Sequence, residues 1–163
     1  HGADAAAKDS HGFSALHKVA ASGNAELAEL LLEAHTRRLN ADSGLSNDQV
    51  QASVCSFVDG ASSLEGLTAL HQASLHGRLA LVRLLVRYGA DVQLASGGAV
   101  SCLHMAACSG HAATAAALLE HGADPAARDE GGRTACHYAC SYGHSAVLKA
   151  LVRHGARTDV EDS

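Results

Sequence analysis

Histidine and cysteine are the residues of this chain with the greatest capacity for chemistry. The sequence contains 12 histidines and five cysteines, and imidazole and thiolate groups are the ligands that zinc prefers in tetrahedral sites. Two pairs stand four residues apart, which is about one helical turn: Cys136 with Cys140, and His104 with Cys108. The two functions to weigh first are therefore zinc binding and nucleophilic catalysis by a thiolate.

The positions of these residues favour a structural role. Cys136 and Cys140 stand where other copies of a repeating pattern have Leu and Ala, so both are expected to be buried in the core. A nucleophilic cysteine needs a partner base in an accessible, positive setting, and the sequence requires no such arrangement. The glycine pairs at 97–98 and 131–132 lack the Lys and Ser/Thr that follow in a phosphate-binding loop. We therefore expect no catalytic residue, no metal and no cofactor.

The histidines recur because the sequence itself repeats. A tetrapeptide of the form Ser/Thr-x-x-His, in one copy Ser-Cys-Leu-His, begins at positions 14, 68, 101 and 134. The last three copies are 33 residues apart, and the first precedes the second by 54, which is 33 plus an insertion of 21. Residues 1–9 closely match residues 121–129. The chain is therefore expected to begin in the tail of a preceding repeat.

Each repeat carries the local signals of two helices. The Ser or Thr is a helix N-cap, because its hydroxyl accepts a hydrogen bond from a backbone N–H of the first turn. The His three residues later takes the capping-box position. A glycine six residues after the His allows a sharp turn into a second helix. That helix has apolar residues three and four apart, as in Leu81, Leu84 and Leu85.

On these motifs the sequence resembles the ankyrin repeat, a 33-residue turn-helix-helix unit with a T-P-L-H-x-A signature. The resemblance implies an all-α fold, an ankyrin-repeat solenoid of stacked helix-turn-helix units with short β-hairpin-like turns. It implies a single domain over residues 1–163, in which 1–9 is a repeat tail. The repeats, called units one to four below, are predicted at 10–63, 64–96, 97–129 and 130–163. The signature proline is absent from every copy, which should cost little.

The insertion lies in unit one, at about residues 36–56. Its first residues are expected to prolong the second helix of that unit. Residues 46–49 resemble a capping box, which predicts a short helical turn over 50–54. Long insertions cost little loop-closure entropy, so three alternatives stay open: an ordered structural excursion, a disordered loop, or a dedicated contact element.

Composition and charge exclude several functions. Hydrophobic residues make up 47% and aromatic residues 3%, so the core must be built from Ala, Leu and Val. The net charge of -5 and the lack of a basic stripe disfavour nucleic acid as a partner. No apolar run reaches the roughly 18–20 residues of a membrane helix. An odd number of cysteines without a CxxC pair favours an intracellular location, cytoplasmic or nuclear. Because the chain begins at His1 rather than Met, we expect a fragment from which a targeting segment could be missing.

The resemblance implies that recognition uses the turn tips and the exposed side of the first helices, which line a concave surface. We predict a shallow apolar strip through three turn tips and one helix end, Phe13, Leu67, Val100 and Leu75. Its predicted edge is formed by Glu65, Glu130, Arg133 and Tyr142. The predicted partner-binding residues are Phe13, Ser22, Leu64, Glu65, Leu67, Leu75, His76, Val100, Ser109, Glu130, Arg133 and Tyr142. The alternative is that the tips pack on each other along the stack.

These observations predict a non-enzymatic, monomeric protein-protein interaction module, a scaffold or adaptor that binds another protein or a peptide. The alternative is a regulatory or docking region of a larger enzyme or membrane protein whose activity lies outside residues 1–163. A catalytic or membrane domain beside this region would favour the alternative. The partner itself is not encoded in the scaffold, since one fold serves many functions.

Overall fold

A computed structural model of the chain describes residues 7–41, 44–62 and 65–156. Within these residues the chain forms nine α-helices, joined by turns that contain two isolated β-bridges and one 3-10 turn. The predicted all-α solenoid is confirmed. The helices are α1 (Ala15–Ser22), α2 (Ala25–Ala41), α3 (Asn47–Val58), α4 (Ala69–Leu75), α5 (Leu79–Arg87), α6 (Cys102–Cys108), α7 (Ala112–Glu120), α8 (Ala135–Ser141) and α9 (Ser145–Arg153).

The helices form two layers. The first helices of successive units, α1, α4, α6 and α8, pack side by side in an inner layer. The second helices, α2, α5, α7 and α9, pack in the same order in an outer layer. The apolar stripes of both layers meet between them, so that Leu16, Leu70, Leu103, Leu118 and Leu151 are almost completely buried.

The glycine after each first helix has a left-handed backbone conformation, and in units one to three a side chain from the next unit lies on it. The ring of His111 packs over Gly77, and the ring of His144 packs over Gly110. The Nε2 atom of His144 is also 3.0 Å from the carbonyl oxygen of Cys108. These histidines therefore couple successive units, which accounts for part of the histidine content without any chemistry.

Substituting alanine for Gly110 is expected to destabilise the fold more than the same change at Gly143. Both glycines have a positive φ, 78° and 72°, which costs alanine about 1 kcal/mol. A Cβ at position 110 would lie 2.8 Å from Cε1 of His144, whereas at position 143 no described atom lies within 4 Å. Urea unfolding should show a loss of about 1 kcal/mol for Gly143→Ala and about 2–3 kcal/mol for Gly110→Ala. Equal losses would mean that the imidazole ring moves aside without cost.

The insertion is folded into a longer α2 and the additional helix α3. The predicted capping box is confirmed, because Ser46 N–H donates to Gln49 Oε1 (2.8 Å) and Gln49 N–H donates to Ser46 Oγ (3.3 Å). The helix that follows has 12 residues rather than the single turn predicted. Its length follows from Val50, Val54 and Val58, which stand four residues apart and are all buried.

Contacts at the C-terminal end of α3 hold it against α2 and unit two. The Phe57 ring stacks on the ring of His35 in α2, with centroids 4.2 Å apart. The Asp59 carboxylate accepts a hydrogen bond from the backbone N–H of Asp91 (3.1 Å), after α5. Residues 47–58 are therefore an ordered part of the stack, and the disordered alternative is wrong for them.

Candidate partner-binding face

The capping histidines tie each helix start to the turn tip of the next unit. In unit two, Nδ1 of His71 accepts a hydrogen bond from the backbone N–H of Thr68 (3.2 Å) and lies 2.9 Å from Thr68 Oγ1. Since Nδ1 is an acceptor, the ring proton of a neutral imidazole is on Nε2. That atom donates to the carbonyl oxygen of Val100 in unit three (3.2 Å). One imidazole thus caps a helix and fixes a tip.

The same arrangement recurs in units one and three. Nε2 of His17 donates to the carbonyl oxygen of Leu67 (2.8 Å), and Nε2 of His104 donates to that of Arg133 (3.0 Å). Burial lowers the pKa of both imidazoles, and lowers that of His71 to about 4. These histidines are neutral at physiological pH, which their hydrogen bonds require.

The turn tips also contact one another through their backbones. The N–H of Gly97 donates to the carbonyl oxygen of Glu65 (2.7 Å), and the N–H of Glu130 donates to that of Gly98 (2.9 Å). The side chains of Glu65 and Glu130 remain exposed. The tips therefore pack along the stack, as the alternative expected, and still present side chains to solvent.

Leu67 is not part of an exposed strip. Its side chain is only 6% exposed, because its backbone N–H is bonded to Oγ of Ser62 (3.1 Å) and its carbonyl is held by the capping histidine described above. The expectation that Leu67 offers an apolar surface is therefore wrong. Phe13 and Val100, at equivalent tips, are half-buried, and Leu64 lies outside the described residues.

The remaining predicted residues lie on one face, which we call the inner face: the turn tips together with the accessible side of α1, α4, α6 and α8. Stacking of the units brings equivalent side chains into rows along it. Whether they bind a partner stays a prediction. The exposed ones are Ser22, His76, Arg133 and Tyr142, and the half-buried ones are Leu75 and Ser109.

A further row on the inner face was missed by sequence reasoning. Lys18 is exposed in this row, whereas Gln72, Met105 and Tyr138 are half-buried. They lie four residues before the predicted helix-end positions, on the same side of each helix. The 33-residue spacing would have identified them, because 72, 105 and 138 are in phase.

The unit-one end of the inner face is a charge-neutral cluster beside an aromatic ring. The carboxylate of Asp9 accepts backbone hydrogen bonds from His11 and Phe13 (both 2.9 Å) and pairs with Nζ of Lys18 at 2.9 Å. The pKa of Asp9 is lowered to about 2, and the hydrogen bond from Lys18 is the main cause. The same ammonium group lies 5.1 Å from the centroid of the Phe13 ring.

The unit-four end repeats this construction with different residues. The buried Asp129 carboxylate accepts hydrogen bonds from Arg133 Nε (3.0 Å) and from the Tyr138 hydroxyl (2.7 Å). Although burial acts to raise the pKa of Asp129, these donors hold it well below its usual range. Burial and the neighbouring Asp129 raise the pKa of Tyr138 to about 12. The Arg133 guanidinium stands 4.8 Å from the centroid of the Tyr138 ring.

The centre of the inner face, between these ends, is uncharged. Gln72, Leu75, Met105 and Cys108 are half-buried there. Among the described residues, no group hydrogen-bonds to the side-chain amide of Gln72. A cleft of about 100 Å³ opens beside that amide, lined by Phe13, His17, Lys18, Ala21 and Gln72.

The metal-ligating and thiol side chains of the described residues bear on the zinc and thiolate hypotheses. In residues 7–41, 44–62 and 65–156, no three His, Cys, Asp or Glu side chains are grouped as a metal site needs. Burial raises the pKa of the Cys102 thiol to about 12, and also raises that of Cys136. Cys140 is exposed, contrary to expectation, because no described helix packs on that side of α8. None of the helices in the same ranges is long and apolar enough to span a bilayer.

Comparison with known families identifies the repeat. A family model described as ankyrin repeats in three copies matches residues 1–96 and again residues 94–162. The chain belongs to the ankyrin-repeat family. Ankyrin repeats generally mediate protein-protein interactions.

Similar curated proteins share only part of this ankyrin-repeat chain. The Notch-regulated ankyrin repeat-containing protein of Homo sapiens is 50% identical over 42 residues, which is 26% of this chain and 37% of that protein. Protein A of the same name from Danio rerio is 50% identical over 42 residues, 38% of its length. The chain thus spans less than two-fifths of these relatives, and the likeness supports a shared repeat.

Proposed function

We propose that this chain is a scaffold or adaptor module that holds a segment of a partner protein against its inner face. The observation that carries the proposal is the uncharged, half-buried row across units two and three. The fixed charges at both ends of this row are already neutralised by Asp9 and Asp129. Apolar surface with a polar rim is typical of interaction sites.

The proposed contact residues divide into a centre and a rim. Leu75, Val100 and Met105 form the centre, where a partner would exclude water from side chains that are already half-buried. Arg133 and Tyr142 form the rim at unit four, and Arg and Tyr are frequent hot-spot residues. Leu67 is omitted from the contact set because it is buried.

We further propose that the chain acts as a monomer inside the cell, in the cytoplasm or nucleus. All five cysteines are unpaired thiols, and two of them are buried. Stable free thiols are typical of reducing compartments. The net charge of -5 supports a protein rather than nucleic acid as the partner.

Site-specific photo-cross-linking in the native cell tests the proposed face. A photo-reactive amino acid at Gln72 or Met105 is expected to cross-link to one segment of one partner protein, because both side chains stand in the proposed interface. The same residue at Arg83 or Ala116, on the outer helices, is the control. Equal yields from inner and outer positions, or cross-links from the outer positions alone, would contradict the proposal.

A further inference from the structure

We infer that the partner segment is an uncharged polyproline II helix with an apolar side chain at every third residue. The inference rests on the proposed function and specifies the ligand of the same inner face. It follows from three features: the distance between units, the placement of the aromatic residues, and an amide without a partner in the middle of the face.

The distance between units matches the repeat of a polyproline II helix. Neighbouring packed helices are about 8–10 Å apart, so equivalent inner-face residues recur at about that distance. A polyproline II helix has three residues per turn and rises about 3.1 Å per residue, which places every third side chain about 9 Å along one side. A β-strand places same-side residues about 7 Å apart. Its side chains would therefore no longer align with equivalent inner-face residues after one unit.

The width of the uncharged row argues against a bound α-helix. Exposed polar residues border the row on both sides, Glu65 and Glu130 at the tips and Ser22 and His76 at the helix ends. An amphipathic helix is about 10–12 Å wide and docks with a stripe of residues three and four apart. A narrower chain with one apolar side chain per unit fits the row better.

Aromatic side chains are concentrated on the inner face. The whole chain has two Phe, three Tyr and no Trp, and Phe13, Tyr138 and Tyr142 all lie on this face. Grooves lined by aromatic rings are the surfaces on which proline-rich segments dock. Phe13 lies at the unit-one end, and Tyr138 and Tyr142 at the unit-four end, so a segment of two to three turns would meet rings at both ends.

The side-chain amide of Gln72 is a hydrogen-bond donor for the backbone carbonyl groups of such a segment. A polyproline II helix makes no internal hydrogen bonds, so its carbonyl groups need donors from the binding surface. Gln72 is half-buried in the middle of the row, and its amide has no partner in the part of the chain that the structure describes. The cleft beside it has room for one apolar side chain from the same segment.

The segment is expected to be uncharged because the centre of the row offers no opposite charge. A carboxylate or ammonium group bound over Leu75 and Met105 would lose its hydration without gaining an opposite charge, which is costly. The cations at the two ends of the row, Lys18 and Arg133, are engaged by Asp9 and Asp129. The segment is therefore expected to carry its charges, if any, outside the bound turns.

Selection from a phage library of random dodecapeptides tests the inference. Peptides captured by the wild-type chain should be enriched in apolar residues three apart with proline between them. Their capture should fall about tenfold or more for Met105→Glu and should also fall for Gln72→Ala, while Ala116→Glu should leave it unchanged. Thermal unfolding of each variant checks that the fold is intact.

Two outcomes would overturn the inference. One is enrichment of apolar residues in alternation, or three and four apart, or of charged sequences. The other is the absence of any peptide whose capture depends on Gln72 or Met105. If photo-cross-linking still places a natural partner on the inner face, the proposed function stands and only the conformation assigned to the segment is wrong.

Discussion

The free energy of unfolding is expected to fall steeply as the pH is lowered from about 6.5 to about 4. The cause is the three buried capping histidines, whose pKa values are lowered by burial, that of His71 to about 4. The unfolded chain binds protons near the ordinary histidine pKa of 6.5, before the folded chain does. The stabilisation is therefore complete above pH 6.5 and is lost as the pH falls through this window.

The size of the loss in unfolding free energy follows from the shift in the histidine pKa. For His71, a change from 6.5 to about 4 corresponds to about 3 kcal/mol at about 1.4 kcal/mol per pH unit, and His17 and His104 shift in the same direction. Folded domains are stable by only about 5–15 kcal/mol. The loss should therefore unfold much of the population near pH 4.

The structural reason is that Nδ1 of each imidazole is a hydrogen-bond acceptor. Protonation of His71 would point a new N–H at the backbone N–H of Thr68, which now donates to the same atom (3.2 Å). The helix start would lose its cap while a charge is buried.

Urea unfolding at a series of pH values measures the effect. His71→Gln is the matched control, since glutamine can occupy the capping-box position and does not titrate. This variant should be less stable than wild type at pH 7 and should lose less stability between pH 6.5 and pH 4. An unchanged pH dependence in His71→Gln would show that this imidazole is not a source of the acid sensitivity.

The repeat architecture could be predicted because every unit carries the same local signals in phase. The N-caps Ser14, Thr68, Ser101 and Thr134 are followed by their histidines at constant spacing, and local hydrogen bonds decide these positions. The length of α3 could also have been predicted from the sequence. Val50, Val54 and Val58 stand at helical spacing in the sequence, and their pattern extends beyond the single turn predicted.

The candidate site was less predictable because it depends on contacts between units. The backbone N–H of Leu67 is bonded to Ser62, and the equivalent positions of the other units carry Lys8, Ala95 and Arg128, so the repeat does not predict this bond. Cys140 is exposed because burial at that position requires a helix packed on the far side of α8. The two ends of the inner face depend on side-chain rotamers, which place Lys18 and Arg133 over aromatic rings, and a linear sequence does not specify these.

Changing Leu75 and Met105 together to glutamate is expected to abolish partner binding. The two side chains lie at the centre of the inner face, where a bound segment would strip water from the new carboxylates. Hot-spot residues at the centre of an interface cost about 2 kcal/mol or more each when they are replaced, so the pair should lose about 3–5 kcal/mol, an affinity loss of about 10²–10⁴-fold. Ala113→Glu with Ala116→Glu, on outer helix α7, adds the same charge away from the inner face and is the control.

The most direct test of the inner-face account is the Kd of both double variants for the partner segment identified by cross-linking. Calorimetric titration should show binding by the Ala113/Ala116 variant that matches wild type, and a loss of about 100-fold or more for the Leu75/Met105 variant. Both should unfold at the wild-type temperature. Wild-type affinity in a folded Leu75/Met105 variant, or a loss confined to the outer-helix variant, would contradict the account.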